Sequence, residues 1–599
     1  MKRLLAILIC LATLLTGLVS CGNKDDEGPT INIYTDETYS FDPALAYNDP
    51  SATQFMSLVY EGLFTMNEKG KLQKALCSDY KITKEDDGSQ TIVISLKKSY
   101  WSDGVIVDAA DFVYAWNRLM DPEFKCEAAA LLFPVKNALE VKNGDISRDD
   151  IGFYSSGTSE ITIELRKGVD AKTFLTNLAS VALYPLRKDI VRSVDDNSWS
   201  SLASVLVANG AFYVKEFDMS NNGSEEDPII VLERNQYYRR SPDSESKISK
   251  YVKPFRLCVY GVDSETAYEK YKNGEIAFNS DIPLAEREGL LKKVELADNM
   301  FTYSYMFNTT SELFADANVR KALSIALDRE AIADIVVYAD AADALISERV
   351  YETKKGSSFH KSVISTSKNI DEAKKLISDA GVTGESFTLA ISDDPVDIAV
   401  AEYCIGIWNE IGLEADYRPY SFKTYNYTED VLKTDENGKR YWTKETIYQG
   451  AVSDELLALY NSGEFDVIAV NYNMLSTDAF AVLAQFSPKY SGGAYDFSIT
   501  SEEWPYIPHT SGYSSAAYDK LIDEAYAAES YDAKAEKLHE AEKLLIEDDC
   551  VVIPLYFGKT AYVANKNIKK LDSSMNGMLI WTKVKDKSYK PAKAEDETA

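Results

Sequence analysis

His360, His509 and His539 are the only histidines in the 599-residue chain, and no two stand at the H-E-x-x-H spacing that puts a pair of imidazoles on one metal. Gly512-Tyr513-Ser514-Ser515-Ala516 approaches a nucleophile elbow, but it lacks the second glycine and a preceding strand and reads as a turn before a helix. Asp435-Glu436-Asn437-Gly438 has the outline of a calcium loop, yet Lys433 and Lys444 occupy its first and twelfth ligand positions. No Gly-rich phosphate loop or dinucleotide fingerprint is present. With 95 Asp and Glu, some carboxylates will pair by chance, which is no ground for an acid–base dyad. The residue chemistry favours binding over catalysis, with no cofactor and no metal. Aromatics give the stronger signal. Tyrosine (39) outnumbers Phe (23) and Trp (7), and an amphipathic ring suits a concave site because it packs and hydrogen-bonds at once. Tyr303 with Tyr305, and Tyr472 between Asn471 and Asn473, are the clusters that stand out.

Such groups need a scaffold. A single core rarely grows past ~250–300 residues, so this length requires at least two lobes. Hydrophobic residues at 45% and charged residues at 27% are globular values, which excludes a disordered, collagen-like or multi-spanning membrane chain. Glycine (29) and proline (17) are sparse, so the lobes should pack together and share structured crossings. Lys+Arg of 64 against Asp+Glu of 95 gives a formal charge of −31, a surface that repels phosphate backbones and excludes a nucleic-acid partner.

The first residues read as an address. Lys2 and Arg3 precede an apolar run over 4–15, the length of a signal-peptide core and too short to span a bilayer. Leu18-Val19-Ser20-Cys21, followed by a polar tether, resembles a bacterial lipobox, whose cysteine is acylated and becomes the new N-terminus. Cys21 is therefore the expected lipidation site on an exported protein anchored to the bacterial cell membrane. Cys77, Cys126, Cys258, Cys404 and Cys550 are far apart and without C-x-x-C spacing, so they signal neither a zinc site nor a disulfide framework and read as buried apolar residues.

Periodicity predicts a strand at 30–34, an amphipathic helix at 51–64, a half-buried strand at 91–96 and a helix capped by Asp108 that runs through Met120. Further strands are expected at 160–166, 229–233 and 255–259. One long helix is expected over 318–337, then helices at 371–380 and 399–411, a strand at 413–417, one or two helices over 515–547 and a buried strand at 551–556. From 584 the tail has almost nothing to bury and reads as disordered. This mixture indicates an α/β or α+β body of several lobes.

Several collinear segments resemble the extracytoplasmic solute-binding proteins of oligopeptide ABC transporters, the peptide/nickel-binding family 5. They are Phe41-Asp42-Pro43 with Tyr60-Glu61-Gly62-Leu63, Trp101-Ser102-Asp103-Gly104 with Asp111-Phe112-Val113-Tyr114-Ala115-Trp116, and Asn209-Gly210 leading to Leu232-Glu233-Arg234-Asn235. Tyr271-Lys272-Asn273-Gly274, Asn318-Val319-Arg320-Lys321-Ala322-Leu323, Tyr518-Asp519-Lys520-Leu521 and Val552-Ile553-Pro554-Leu555-Tyr556 extend the series. The resemblance implies an α/β, two-lobed periplasmic-binding-protein-like fold (Venus flytrap, class II) with a small additional subdomain. After a signal peptide (1–20) and tether (21–30), lobe I would comprise 31–70, 205–302 and 554–583, and the subdomain 71–204. Lobe II would span 308–550 with an insertion at 423–452, and 584–599 would be tail. Hinge residues would be Tyr303, Tyr305, Pro554 and Tyr556.

The same resemblance implies a monomer that captures oligopeptides and delivers them to the permease subunits and ATPases of an ABC importer. Its ligand contacts would come from Tyr47 and Asn48 in one loop, and from Asn471, Tyr472, Asn473, Met474, Leu475 and Asp478 in another. Tyr472 is expected to pack on the ligand while the backbone beside it pairs. Where peptide binders place an aspartate three residues after an aromatic, to hold the α-ammonium, this chain has Leu475; Asp478 is the nearest acid. Tyr425, Tyr427, Tyr441 and Trp442 of the insertion are expected to pack on the lobe surface rather than cover the cleft. That departure at Leu475 leaves open an oligosaccharide or modified peptide as ligand, and a surface adhesin or chaperone-like lipoprotein as the non-transport alternative.

Overall fold

The computed structural model describes residues 28–590 apart from 36–37, 39, 46, 48–49, 194–197, 245–248, 351–357, 435–439, 475, 493–509 and 575–576. Strand β1 (Thr30–Tyr34) leads through Asp42 to helix α1 (Pro50–Val59). A four-stranded antiparallel sheet follows, made of β2 (Cys77–Lys84), β3 (Gln90–Leu96), β4 (Phe153–Ser155) and β5 (Glu160–Glu164) in the order β2-β3-β5-β4. Helix α2 (Ala109–Leu119) packs on it. Asp108 caps α2 and Asp111 completes a capping box, which satisfies the backbone N–H groups that a helix start leaves open.

A larger sheet has eleven strands. The chain adds β6 (Phe212–Phe217), β7 (Ile230–Arg234), β8 (Arg256–Val259), helix α3 (Ser264–Asn273), β9 (Phe278–Asn279) and the long β10 (Glu295–Phe307). Next come α4 (Ala317–Ile325), α5 (Arg329–Val336), β11 (Ala339–Ala341), α6 (Ile370–Ala380), β12 (Ser386–Ser392), α7 (Pro395–Glu410) and β13 (Glu414–Tyr420). Strands β14 (Phe422–Thr434) and β15 (Arg440–Asp454) pair with each other as a separate ribbon. Strand β16 (Val467–Asn473), helices α8 (Ala516–Ala527) and α9 (Tyr531–Lys543), and the long β17 (Val552–Ala564) complete the body. Sheet order is β13-β12-β16-β10-β17-β9-β1-β8-β7-β6, with β11 also on β17.

Parallel pairing is confined to two places, β1 with β8 and β9, and β12 with β13 and β16. Between them β10 and β17 run antiparallel, and this pair carries the sheet from one half to the other. The register sets Tyr303 opposite Tyr556 and Ser304 opposite Pro554. Thus the four expected hinge residues lie together on adjacent strands, with the rings of Tyr303 and Tyr556 stacked at 4.9 Å.

The recognisable motifs turn out to be structural staples. Asn209 exchanges two hydrogen bonds with the backbone of Glu61, accepting from its N–H and donating to its C=O (3.0 and 2.9 Å). Beside it the N–H of Gly210 donates to Val59 O at 2.8 Å. A Cβ at 210 would meet the Val59 backbone at 2.6 Å, so only glycine allows that approach. Trp101 Nε1 donates to Asp111, and Trp116 Nε1 to Leu183 O.

Two expectations are corrected. The single helix over 318–337 is two helices, because the Asp328 side chain accepts from Ala331 N–H and starts a new one. The disordered tail does not begin at 584: Val584 is fully buried, and Lys585–Asp586 pairs with Ile568–Lys569.

Candidate functional site

A cleft of about 940 Å3 opens where the carboxyl ends of both parallel strand sets face each other, the place where open α/β sheets hold ligands. One wall comes from the residues following β1, β8 and β9: Tyr34, Gly261 to Asp263, and Ser280 to Ile282. The facing wall is Ser392 to Asp397, from the end of β12 into the first turn of α7, with Asn471 and Asn473 from the end of β16. Phe301, Tyr556 and Gly558 of the two crossing strands form the base.

Strand geometry distributes the expected contacts. Side chains alternate between faces, so Asn471 and Asn473 line the cleft while Tyr472 points away from it. Tyr472 is buried, donates its hydroxyl to Met306 Sδ and packs on Phe486. Asn473 Nδ2 donates to the carbonyl of Tyr47 at 2.9 Å, joining the two segments singled out in the sequence. The Tyr47 ring is itself buried, and its hydroxyl donates to Glu127 at 2.5 Å. Met474 lines a small neighbouring pocket with Tyr47 and Asn473. Asn48 and Leu475 lie outside the described residues, as do Cys21 and the side chains of Tyr425, Tyr427, Tyr441 and Trp442. Asp478 lies in a different pocket, against Arg166 and Lys534. Its carboxylate is committed to Lys534 and to the N–H of Phe480.

The remaining chemistry-bearing residues are occupied elsewhere. His360 pairs with Asp343, and His539 hydrogen-bonds Phe359 O. Among the described residues no cluster of His, Cys, Asp and Glu is arranged to hold a metal. Ser515 caps α8, so the elbow-like motif is the turn that starts this helix.

Sequence reasoning overlooked the wall at 392–397. Asp394 caps α7, accepting from Val396 N–H at 2.7 Å. Asp397 accepts from Ser392 Oγ at 2.6 Å. Burial pushes its carboxyl well above the usual carboxylate range and Asp394 adds repulsion, while Ser392 and Tyr303 pull the other way. Ser392-Asp393-Asp394-Pro395 at the end of a strand was the available signal.

Segments far apart in the chain, 126–166 and 489–526, are in direct contact. Cys126 N–H donates to Gly492 O at 3.0 Å, Asn143 Nδ2 to Lys489 O at 3.2 Å, and Tyr526 Oη to Phe133 O at 3.3 Å. The Arg166 guanidinium covers the Tyr526 ring at 3.7 Å.

Residues 71–494 match the family described as "Bacterial extracellular solute-binding proteins, family 5 Middle". The chain belongs to the family 5 extracellular solute-binding proteins. It is 25% identical to the oligopeptide-binding protein OppA of Bacillus subtilis over 574 residues, 92% of each chain. Structures of the same two-lobed fold include Haemophilus influenzae OppA in complex with RPPGFSPFR, at a TM-score of 0.72 and 20% identity, covering 94% of this chain and 99% of that one. Escherichia coli MppA, a murein tripeptide binding protein, superposes at 0.72 with 22% identity over the same shares. The unliganded open form of MppA gives only 0.55, with 21% identity over equal shares. None of its described helices is long and apolar enough to cross a membrane.

Proposed function

We propose that this family 5 protein is the extracytoplasmic substrate-binding lipoprotein of an ABC importer, capturing oligopeptides in its interlobe cleft and delivering them to a membrane permease. The observation that carries this reading is the large cleft at the carboxyl ends of two facing parallel strand sets. An extended peptide buried without partners loses ~1–3 kcal/mol for each unpaired polar group. Strand-end backbone and the amides of Asn471 and Asn473 offer such partners, and leave peptide side chains free to vary. The names of the Bacillus relative and the bound Haemophilus neighbour support the peptide class.

In this reading lobe I is 31–70, 205–302 and 554–583, the subdomain is 71–204, and lobe II is 308–550. Tyr303, Tyr305, Pro554 and Tyr556 flex as the lobes move. Cys21 carries the lipid, and the receptor works as a monomer that binds without transforming its cargo.

Mass spectrometry of whatever co-purifies with the mature protein, followed by calorimetry with short peptide mixtures, tests the proposal. Saturable peptide binding is expected. A broad peptide library that leaves both heat and melting temperature unchanged overturns the ligand class. Radiolabelled palmitate should enter the wild type and not Cys21→Ala; equal labelling of both removes the anchor.

A further inference from the structure

The charge in the cleft is one-sided. Among its described lining residues six are carboxylates and two are cations, Arg287 and Lys559. Both cations are engaged, Arg287 beside Asp281 at 3.8 Å and Lys559 with Asp340 at 2.6 Å. Two carboxylates have a structural task, since Asp263 and Asp394 cap α3 and α7. Asp393 and Asp397 do not cap, and no cation is paired with either among the described residues. Asp393 is exposed to solvent and Asp397 is half-buried, and a carboxylate drawn out of water is costly unless a cation meets it.

A second observation points to the same spot. Tyr303 is 3% exposed and its hydroxyl faces the Asp397 carboxyl, holding that acid beside the cleft. Its ring lies flat against Tyr556, which lines the cleft. On the neighbouring strand, Asn471 Oδ1 is buried without a donor. A buried acceptor left open in a cleft lined by acids makes a site that lacks a donor-rich, positively charged guest. Ammonium and guanidinium groups have that chemistry, with several N–H donors and no acceptor.

We propose that Asp393 and Asp397, with Tyr303 and Asn471, form a subsite that seats an ammonium or guanidinium group of the ligand, and so select cationic cargo. This deepens the function proposed above and rests on the same cleft. Two sources could supply the cation, a peptide's α-ammonium or a basic side chain.

Tetrapeptides of alanine carrying one lysine, or one norleucine of nearly equal shape, at each position separate the cases, each with a free or acetylated N-terminus. Calorimetry with the full mature protein should show at least one lysine peptide binding about tenfold or more tighter than its norleucine partner, as expected for a charge-assisted contact. If that advantage survives acetylation, the side chain is the source. If binding instead falls about tenfold on acetylation whichever residue is present, the α-ammonium is. Either preference should disappear in Asp397→Asn, and in Asp393→Asn should the first variant fold poorly, while residual binding of neutral, acetylated peptides remains. Spermidine serves as a non-peptide probe: binding lost in these variants, without peptide binding, supports the subsite and removes the peptide reading. Equal binding of all peptides by wild type and variants, with no spermidine binding, overturns the subsite and leaves the peptide reading intact. Silence toward every probe overturns both.

Discussion

Arg118 holds Asp42 through two parallel bonds, Nη1 to Oδ1 at 2.8 Å and Nη2 to Oδ2 at 2.6 Å. The pair fastens the N-terminal segment to helix α2, and the Asp42 side chain is only 1% exposed against 12% for Arg118. Asp42 Oδ1 also accepts the N–H of Ala44, so the aspartate orders the turn that follows. Removing the arginine strands a buried charge. Arg118→Leu should lose ~3–5 kcal/mol of stability in urea unfolding, as is general when one partner of a buried pair goes. Asp42→Asn with Arg118→Leu together should lose less than the sum of the two. A loss within ~0.5 kcal/mol for Arg118→Leu, the range of ordinary surface changes, would sink this account of the motif.

Gly492 lies close against the backbone of Cys126 and Glu127. Its φ is +66°, and an added Cβ would lie 2.2 Å from the carbonyl oxygen of Cys126 on the opposing subdomain. Backbone cannot yield there as a flexible side chain would. Gly492→Ala should therefore hold the jaw ajar, weakening ligand binding by about tenfold or more, which is ~1.4 kcal/mol. Small-angle scattering with ligand present should give a larger radius of gyration than the wild type. An unchanged radius and affinity would show that closure tolerates the methyl group.

Glu542 predicts a pH dependence. Its Oε1 accepts the backbone N–H groups of Leu345 and Ile346 at 2.9 and 2.8 Å, and its other oxygen has no partner. Burial pushes this carboxyl from 4.5 up to about 7, with the nearby Asp343 adding to it. The folded form thus holds its proton to higher pH than the unfolded chain does. Stability from this group is greatest below pH 4.5, falls as pH rises to 7, and is flat above. The fall is of order 3 kcal/mol. Glu542→Gln keeps an acceptor for both N–H groups, so its melting temperature relative to wild type should climb between pH 5 and 7. A constant difference across that range would contradict the assignment.

Five cysteines give a simpler readout. Cys77, Cys126, Cys258, Cys404 and Cys550 are all free and buried. Burial pushes Cys77 up to about 11 and Cys126 and Cys550 up to about 12, and the thiolate is the reactive form. Native protein should leave all five unlabelled by Ellman's reagent at pH 8, and denatured protein should expose five. Rapid labelling of any one without denaturant would place it wrongly.

Legibility followed locality. Asp108 was readable as a cap because its partners lie two and three residues ahead of it. The break at Asp328 was hidden, since an apolar stripe continues across it and the backbone N–H of Arg329 is taken by Thr366, distant in sequence. Tyr472 faces away from the cleft that its neighbours Asn471 and Asn473 line, because which face of β16 meets the cleft depends on its pairing with β10. Asp393 and Asp397 carry no sequence pattern that sets them apart; only the opposite wall, more than a hundred residues away in the chain, makes them part of a cleft. Val584 seemed too isolated to anchor a tail, yet it enters the core beside Trp581.

The ladder between β10 and β17 is broken in two places, between Asp298 and Thr302 and between Tyr303 and Ser304. On the hinge reading proposed above, the two coupled strands bend together and the interrupted rungs are where they give. The stacked pair Tyr303–Tyr556 sits at the second interruption, beside the Asp397 carboxyl, so on that reading lobe movement and occupancy of the acidic wall bear on the same few atoms.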